Sequence, residues 1–193
     1  MRDHLNDQVH CLQTLVDGLD DRDLADLTAR CLSVLEAGRK LVLTGLGKTV
    51  PVCEKVVGTL HSVGLPAAFV HANTAVHGDL GAIGPGDLVL VLSKSGGTSE
   101  TLELVRHLKE RQTQVIALVF APESALEALA DRTIRLRLTR EERIWGVLPC
   151  NSTLGFLCVL QGLVLALVEA LGIDERVFLS NHPGGMIGQK VTE

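Results

Sequence analysis

Leu88 to Leu92 is an unbroken apolar run, and directly after it the chain turns to Ser93, Lys94, Ser95, Gly96, Gly97, Thr98, Ser99 and Glu100. An apolar run bounded by Asp87 and Ser93 suits a strand buried on both faces of a parallel sheet, and Leu102, Val105, Arg106 and Lys109 then recur at helical spacing. Strand, hydroxyl-rich turn and helix in that order constrain the chain to an α/β fold with the turn at a helix N-terminus. Such a terminus presents unpaired N–H groups and about half a positive charge, which together attract an anion. Gly96 and Gly97 let the backbone approach closely, Ser93, Ser95, Thr98 and Ser99 supply hydroxyls, Lys94 supplies charge, and Glu100 sets a carboxylate at the helix start. Ordinary capping also uses Ser and Thr, but four hydroxyls and two glycines exceed what one cap needs.

The same unit recurs along the chain. Lys40–Thr44 reads as a strand, Gly45–Thr49 as a glycine-containing loop, and a helix starts near Pro51, a residue tolerated in a first turn. Ala67–Val70 reads as a short strand, followed by a polar stretch from His71 to Gly81 and a turn at Gly84–Asp87. After a helix over Glu100–Glu110 come a strand at Val115–Val119, a helix around Ser124–Ala130 and a strand at Ile134–Leu138. Five strands alternating with helices specify a doubly wound five-stranded parallel sheet flanked by helices, a three-layer sandwich. In the flavodoxin-like order 2-1-3-4-5, ligands bind beyond the ends of strands one and three, so the loops at Gly45–Lys48 and Ser93–Glu100 are expected to face each other across one crevice.

Before the first strand, Leu5, Val9, Leu12, Leu15 and Val16 form one helical stripe and Leu24, Leu27, Cys31, Leu32 and Leu35 a second, which Gly38 closes. Residues 1–38 are thus an N-terminal helical extension for packing on the sheet or on another subunit, within a single domain spanning 1–193. After the last strand, Thr139–Cys150 is charged, and an apolar helix follows over about Thr153–Leu171, capped by Asn151 or Ser152. Its core, Leu154 to Val168, is at the lower limit for a membrane span and is interrupted by Gln161 and Gly162, which argues for a buried helix and no membrane. A polar turn at Asp174–Arg176 leads to Asn181–Met186, whose Pro and Gly residues exclude regular helix.

Eighteen basic against 23 acidic residues give a net charge of -5, and aromatics make up 3%. Neither a basic face nor stacking rings are on offer, which excludes nucleic acid as a partner. The five cysteines are scattered without a C-x-x-C pair, so neither disulfides nor a zinc knuckle is expected and a reducing cytoplasm fits. The charged N-terminus lacks a signal-peptide apolar core.

The segment Gly45–Val50 fails both nucleotide fingerprints: Val42 stands where a Walker A loop needs Gly, and Val50 where a dinucleotide loop needs its third. What remains is a tight turn at Gly47 that carries Lys48 at the mouth of the first strand; a solvated surface lysine is the plain alternative. His77, before Gly78 and Asp79, and His182, before Pro183 and Gly184, each fix an imidazole where the backbone bends. Either can exchange protons near neutral pH, or merely cap a turn, and no ligand spacing supports a metal. Glu100, Glu141 and Glu142 are ordinary surface acids unless the reaction needs a base that removes a proton alpha to a carbonyl.

With these residues in hand, the chain resembles the sugar isomerase (SIS) family, and within it the arabinose 5-phosphate isomerases, from roughly Leu41 to Lys190. The Ser93–Thr98 loop marks the domain in general; Gly45–Lys48, His77–Gly81 and His182–Gly185 mark the narrower branch. The resemblance implies catalytic roles for Lys48, His77, Glu100, Glu141 and His182, with Glu142 a one-residue alternative to Glu141, which is placed by counting back from Pro149. It implies a phosphate held by Gly47, Ser93, Lys94, Ser95, Gly96 and Thr98, and interconversion of D-ribulose 5-phosphate and D-arabinose 5-phosphate through a cis-enediol in Kdo synthesis. Neither metal nor organic cofactor is implied, and a homotetramer sharing residues between neighbouring sites is. Among departures from the family pattern, Lys94 and Gly97 stand for Asn and Glu, Thr49 and Val50 for Ser and Gly, and Cys150 and Asn151 for Thr and Ser. The paired CBS module that many members carry is absent, which suggests a short form or a truncated chain. An isomerase of another ketose phosphate and a non-catalytic sugar-phosphate sensor are the competing expectations.

Overall fold

The computed structural model describes residues 1–184; Gly185 and Met186 of the expected irregular segment lie outside the described residues. Helices α1 (Arg2–Asp17) and α2 (Asp21–Glu36) precede strand β1 (Leu41–Gly45), a single 3-10 turn (Gly47–Thr49) and helix α3 (Val50–Ser62). Then follow β2 (Ala67–His71), the short α4 (Ala72–Ala75), a second 3-10 turn (Asp79–Ala82), β3 (Leu88–Ser93) and α5 (Ser99–Glu110). The chain continues through β4 (Gln114–Val119), α6 (Ala125–Leu129), β5 (Arg132–Arg135), α7 (Asn151–Ala170) and α8 (Glu175–Ser180).

All strand pairs are parallel and the order is β2-β1-β3-β4-β5, as the alternation of apolar runs and helical stripes requires. Because side chains alternate across a strand, Leu41, Leu43, Leu90 and Leu118 pack on one layer formed by α1, α2, α3 and α7. Val42, Val89, Val91 and Ala117 face the other, formed by α4, α5 and α6. Both faces of β3 are therefore covered, which explains its unbroken apolar run. At the opposite edge of the sheet from the loops, Asp87 is buried and receives the Lys40 ammonium at 2.6 Å and the Gly84 N–H at 2.7 Å, fixing the entries to β1 and β3.

Several boundaries depart from the sequence-based expectations. The inward face of α1 is Asp7, Cys11 and Leu15, while Leu5, Val9 and Val16 of the expected stripe point outward. Packing decides between the two faces: Asp7 pairs with Arg140, Cys11 Sγ meets Thr139 Oγ1 at 3.3 Å, and Leu15 seats on the bare backbone of Gly155. A Cβ on Gly155 would stand 2.5 Å from Leu15 Cδ1, so glycine lets α1 approach α7 closely. Strand β5 starts two and ends three residues earlier than expected because its ladder ends where β4 ends, at Val119 opposite Arg135. The stretch from His71 holds α4 and a 3-10 turn, and Asp174 caps α8 instead of forming an isolated polar turn. Helix α7 begins at Asn151, so Asn151 and Ser152 lie inside its first turn. By length and composition α7 could cross a membrane; here it packs against α1, α2 and α3 in the apolar layer on one face of the sheet.

Candidate functional site

Sheet order dictates where a cavity forms. The connection from β1 turns toward β2 on one side, and the connection after β3 turns toward β4 on the other, so a crevice opens beyond their C-terminal ends. A cavity of about 280 Å³ occupies it, lined by Leu46, Lys48 and Thr49 after β1, Ser93, Lys94, Ser95, Thr98 and Thr101 after β3, and Pro149, Ser152, Thr153 and Phe156 at the start of α7.

Three helices of twelve or more residues, α3, α5 and α7, begin at this cavity, and none of their N-cap residues, Thr49, Thr98 and Cys150, bonds the helix with its own side chain. Helix ends converge here and their dipoles add in one place, although the Ser152 N–H of α7 already donates to Glu141 and the Glu100 N–H of α5 to its own carboxylate. Lys48 contributes a full charge and, unlike Lys94, pairs with no carboxylate among the described residues. Hydroxyls of Ser95, Thr98, Ser152 and Thr153 complete a wall suited to a phosphate monoester, an anion of about the right size for this volume.

The turn after β3 is held from behind. Phe120 and Ala121 N–H donate to the Lys94 carbonyl at 3.3 and 3.0 Å, and Leu126 N–H donates to the Gly96 carbonyl at 2.9 Å. Gly96 N–H donates to Ser93 Oγ at 3.0 Å, so Ser93, buried, shapes the turn from within. With its carbonyls tied to the β4–α6 loop, the turn is fixed before any ligand arrives.

Of the five residues expected to be catalytic, Lys48 alone lines the cavity. Glu100 stands beside it, in the first turn of α5 between lining residues Thr98 and Thr101, accepting the Ser99 hydroxyl at 2.8 Å. Its own backbone N–H and the Ser99 hydroxyl hold the Glu100 carboxyl below the usual range. Glu141 sits behind Lys94, buried, with Oε1 2.8 Å from the Lys94 ammonium and Oε2 accepting Ser152 N–H at 3.0 Å. Burial would raise its pKa, but Lys94 and the Ser152 donors outweigh burial and lower it. His77 is exposed on the α5 flank of the sheet, between α4 and the 3-10 turn whose Leu80 carbonyl receives Arg111. His182 lies at the far end of α3: Asn181 donates to the Ser62 carbonyl at 3.3 Å, and His182 Nδ1 bonds the Phe178 carbonyl at 2.7 Å. The thirteen residues of α3 put about 20 Å between that end and the cavity. Of the expected phosphate ligands, Ser93, Lys94, Ser95 and Thr98 line the cavity, while Gly47 and Gly96 shape the flanking turns with φ of 65° and 60°.

Thr49, Thr101, Ser152 and Thr153 also line the cavity. Ser152 and Thr153 carry the signal already used for Ser93–Thr98, hydroxyls directly before an apolar helical run, and were readable in the same way. Thr101 is the third residue of α5, inside the helix, and carries no such mark.

Glu142 does something different from its neighbour. Its carboxylate gathers the N–H groups of Ile144, Trp145, Val147 and Leu148 at 2.5 to 3.2 Å, closing the loop between Glu141 and Pro149 into a ring around one anion. The Trp145 N–H leads these donors in depressing its pKa to about 2, since burial opposes them and loses. A depressed carboxylate stabilises the fold above its unfolded pKa and loses that contribution as pH falls through the folded value, so the ring is expected to persist until about pH 2. Glu142→Gln is expected to speed amide hydrogen exchange at these four residues about tenfold or more, read by mass spectrometry; unchanged protection would mean that the ring is held by something else.

Residues 35–166 match the SIS domain family. The arabinose 5-phosphate isomerase KdsD of Yersinia pestis is 35% identical over 173 residues, 90% of this chain and 53% of that protein. The chain thus spans about half the length of the curated relatives it matches. Among solved structures, Escherichia coli CFT073 c3406 in complex with arabinose 5-phosphate superposes with a TM-score of 0.87 at 28% identity, covering 94% of this chain and 95% of that one. The Vibrio vulnificus NanR protein complexed with ManNAc-6P shares the fold, with a TM-score of 0.74 at 20% identity over 93% of this chain and 66% of that one.

Proposed function

Because this chain belongs to the SIS domain family, we propose that it is a sugar-phosphate isomerase, converting D-arabinose 5-phosphate to D-ribulose 5-phosphate and back. The observation that carries this reading is the convergence of three helix N-termini and Lys48 on one cavity, with Glu100 in the first turn of one of those helices. The similarity to KdsD and to the arabinose 5-phosphate complex favours the pentose among ketose phosphates.

In the proposed reaction the phosphate occupies the turn of Ser93 to Thr98, and the sugar extends past Lys48 toward Glu100. Glu100 removes the proton from C2 of the open-chain aldose; the electron pair passes to the C1 oxygen and a cis-enediol forms. Lys48 stabilises the oxyanion as it develops. Return of the carbon proton from Glu100 to C1, with net transfer of the C2 hydroxyl proton to the C1 oxygen, gives the ketose. Every step moves only protons and electron pairs, between the substrate and side chains, so the proposed reaction requires no organic cofactor or metal.

His77 and His182 join this chemistry only if a second copy brings them to the cavity. The outward Leu5, Val9 and Val16 of α1 and Leu165 of α7, 43 to 69% exposed, offer apolar surface for such an assembly, and a homotetramer is the proposed state. The proposed setting is the cytoplasm, where unpaired cysteines stay reduced, and the proposed pathway is Kdo synthesis for the envelope.

A sugar-phosphate sensor without catalysis is the second reading, favoured by the same single-chain distance of both histidines from the cavity. One experiment separates the two: D-arabinose 5-phosphate is incubated with the purified protein, and with an equimolar mixture of Lys48→Ala and His182→Ala chains, and ribulose 5-phosphate is measured. Turnover by the wild type, partly restored in the mixture, is expected. Binding without turnover makes the protein a sensor, and an inactive mixture of assembled chains removes the shared site.

A further inference from the structure

We propose that Glu141 is a positioning residue, not a proton-transfer group: its carboxylate exists to fix the Lys94 ammonium at the phosphate turn and the first turn of α7 beside it. This rests on the isomerase reading and departs from the catalytic role that family resemblance implies for Glu141.

Geometry gives the first reason. A base must come within about 2.6 to 3.2 Å of the proton it takes, directly or through one water. Glu141 does not line the phosphate cavity; it lines a neighbouring one with Phe120, Leu138 and Arg140, and Lys94 belongs to both. The Lys94 side chain thus touches the Glu141 carboxylate and also lines the phosphate cavity, which Glu141 does not. Glu141 is 2% exposed; Oε2 accepts Ser152 N–H at 3.0 Å, and Oε1, which accepts no hydrogen bond, is ion-paired with Lys94 Nζ at 2.8 Å.

Electrostatics gives the second. A carboxylate held by an ammonium and by the N-terminus of a twenty-residue helix is stabilised in its charged form and is a poor base. Glu100 is half-buried beside the cavity, is held by its own N–H and the Ser99 hydroxyl, and pairs with no ammonium among the described residues.

The third is how much depends on the Glu141 position. Its carbonyl and that of Arg140 both accept from Asn151 Nδ2, and Arg140 in turn pairs with Asp7 of α1. One short segment thus ties α1, the phosphate turn and α7 together, and a side chain in that place is suited to hold parts in register. Lys94 shares its charge between Glu141 and the incoming phosphate. It is the only lysine in the turn, and half of it, 45%, is exposed toward the cavities.

A pair acting as a unit is recognised by removing both members, because breaking a buried pair leaves one bare charge whereas removing both leaves none. Full-length Glu141→Gln, Lys94→Gln and the double variant are compared with the wild type in melting temperature, calorimetric affinity for inorganic phosphate, and kcat and KM for arabinose 5-phosphate. Glu141→Gln frees the ammonium, so phosphate is expected to bind about threefold to tenfold tighter, with the acid limb of the pH–rate profile unmoved. Lys94→Gln is expected to weaken phosphate about tenfold and to melt lowest of the three, with a bare buried carboxylate. The double variant is expected to recover most of the melting temperature and to show a raised KM with kcat within about tenfold of wild type, where loss of a general base costs about 10² to 10⁴.

A kcat that stays about a thousandfold down in both Glu141 variants would overturn the proposal and return Glu141 to proton transfer. Should the wild type show no turnover, the isomerase reading fails, but the pair is still decided. Phosphate affinity unchanged in Glu141→Gln, with melting effects that simply add in the double variant, would overturn it.

Discussion

Gly96→Ala is expected to destabilise the fold by roughly 3 kcal/mol, lowering the melting temperature of a chain this size by about 6 to 12 °C, and to weaken inorganic phosphate binding more than about tenfold. Two independent features of the site combine. Gly96 has φ of 60°, a region costly for any residue with a Cβ. An added Cβ would stand 2.5 Å from Ser124 Cβ and nearer still to its hydroxyl. Ser124 has nowhere to go, since it is buried and its hydroxyl accepts Glu127 N–H at 3.3 Å to cap α6. The turn itself must move, and with it the N–H groups and hydroxyls that face the cavity. Gly97→Ala is the matched control: there an added Cβ meets only the Ser95 carbonyl, at 4.0 Å, and little change is expected. Thermal melts and phosphate calorimetry on the two variants check the argument, and wild-type values for Gly96→Ala would refute it.

Glu100→Gln is expected to lower kcat about a thousandfold while phosphate affinity stays within a few-fold, because a general base contributes to proton transfer and not to holding the phosphate. The carboxyl is already held below its usual range by its own N–H and the Ser99 hydroxyl. Since the base acts deprotonated, the acid limb of kcat/KM in the wild type is expected below the pH of an ordinary glutamate, about 4.3. Ser99→Ala removes one donor and should move that limb up. Steady-state rates across the pH range test both statements; an unaltered rate in Glu100→Gln would exclude it as the base.

Most of the sheet was legible because its central strands are apolar runs ended by a turn signal, Leu88–Leu92 before Ser93 and Val115–Val119 before Ala121 and Pro122, whereas β5, Arg-Thr-Ile-Arg, has no such run and its bounds were misplaced. Strand order followed from the alternation with helices, and cavity position followed from strand order. What failed to read were facts set by distant partners. Leu5 and Val9 look as apolar as Leu15, and only the seat at Gly155 and the pairing of Asp7 with Arg140 show which face turns inward. Glu141 and Glu142 are adjacent and chemically identical, yet one is buried against Lys94, 47 residues away in sequence, and the other collects local N–H groups. His182 follows a helix that docks on the far end of α3, and no local pattern around Pro183 announces that contact.

The ring closed by Glu142 carries the chain's single tryptophan, Trp145, 73% exposed, in a protein with no tyrosine. Its neighbours Gly146 and Pro149 line the cavities on either side of Lys94. Selectively excited indole emission therefore arises from one place, next to the proposed substrate site and on a backbone held by four hydrogen bonds. The protein carries its own optical gauge: a sugar-phosphate titration can be followed without any label, starting from the red emission of a water-exposed indole and moving to the blue as a ligand or a second copy covers it.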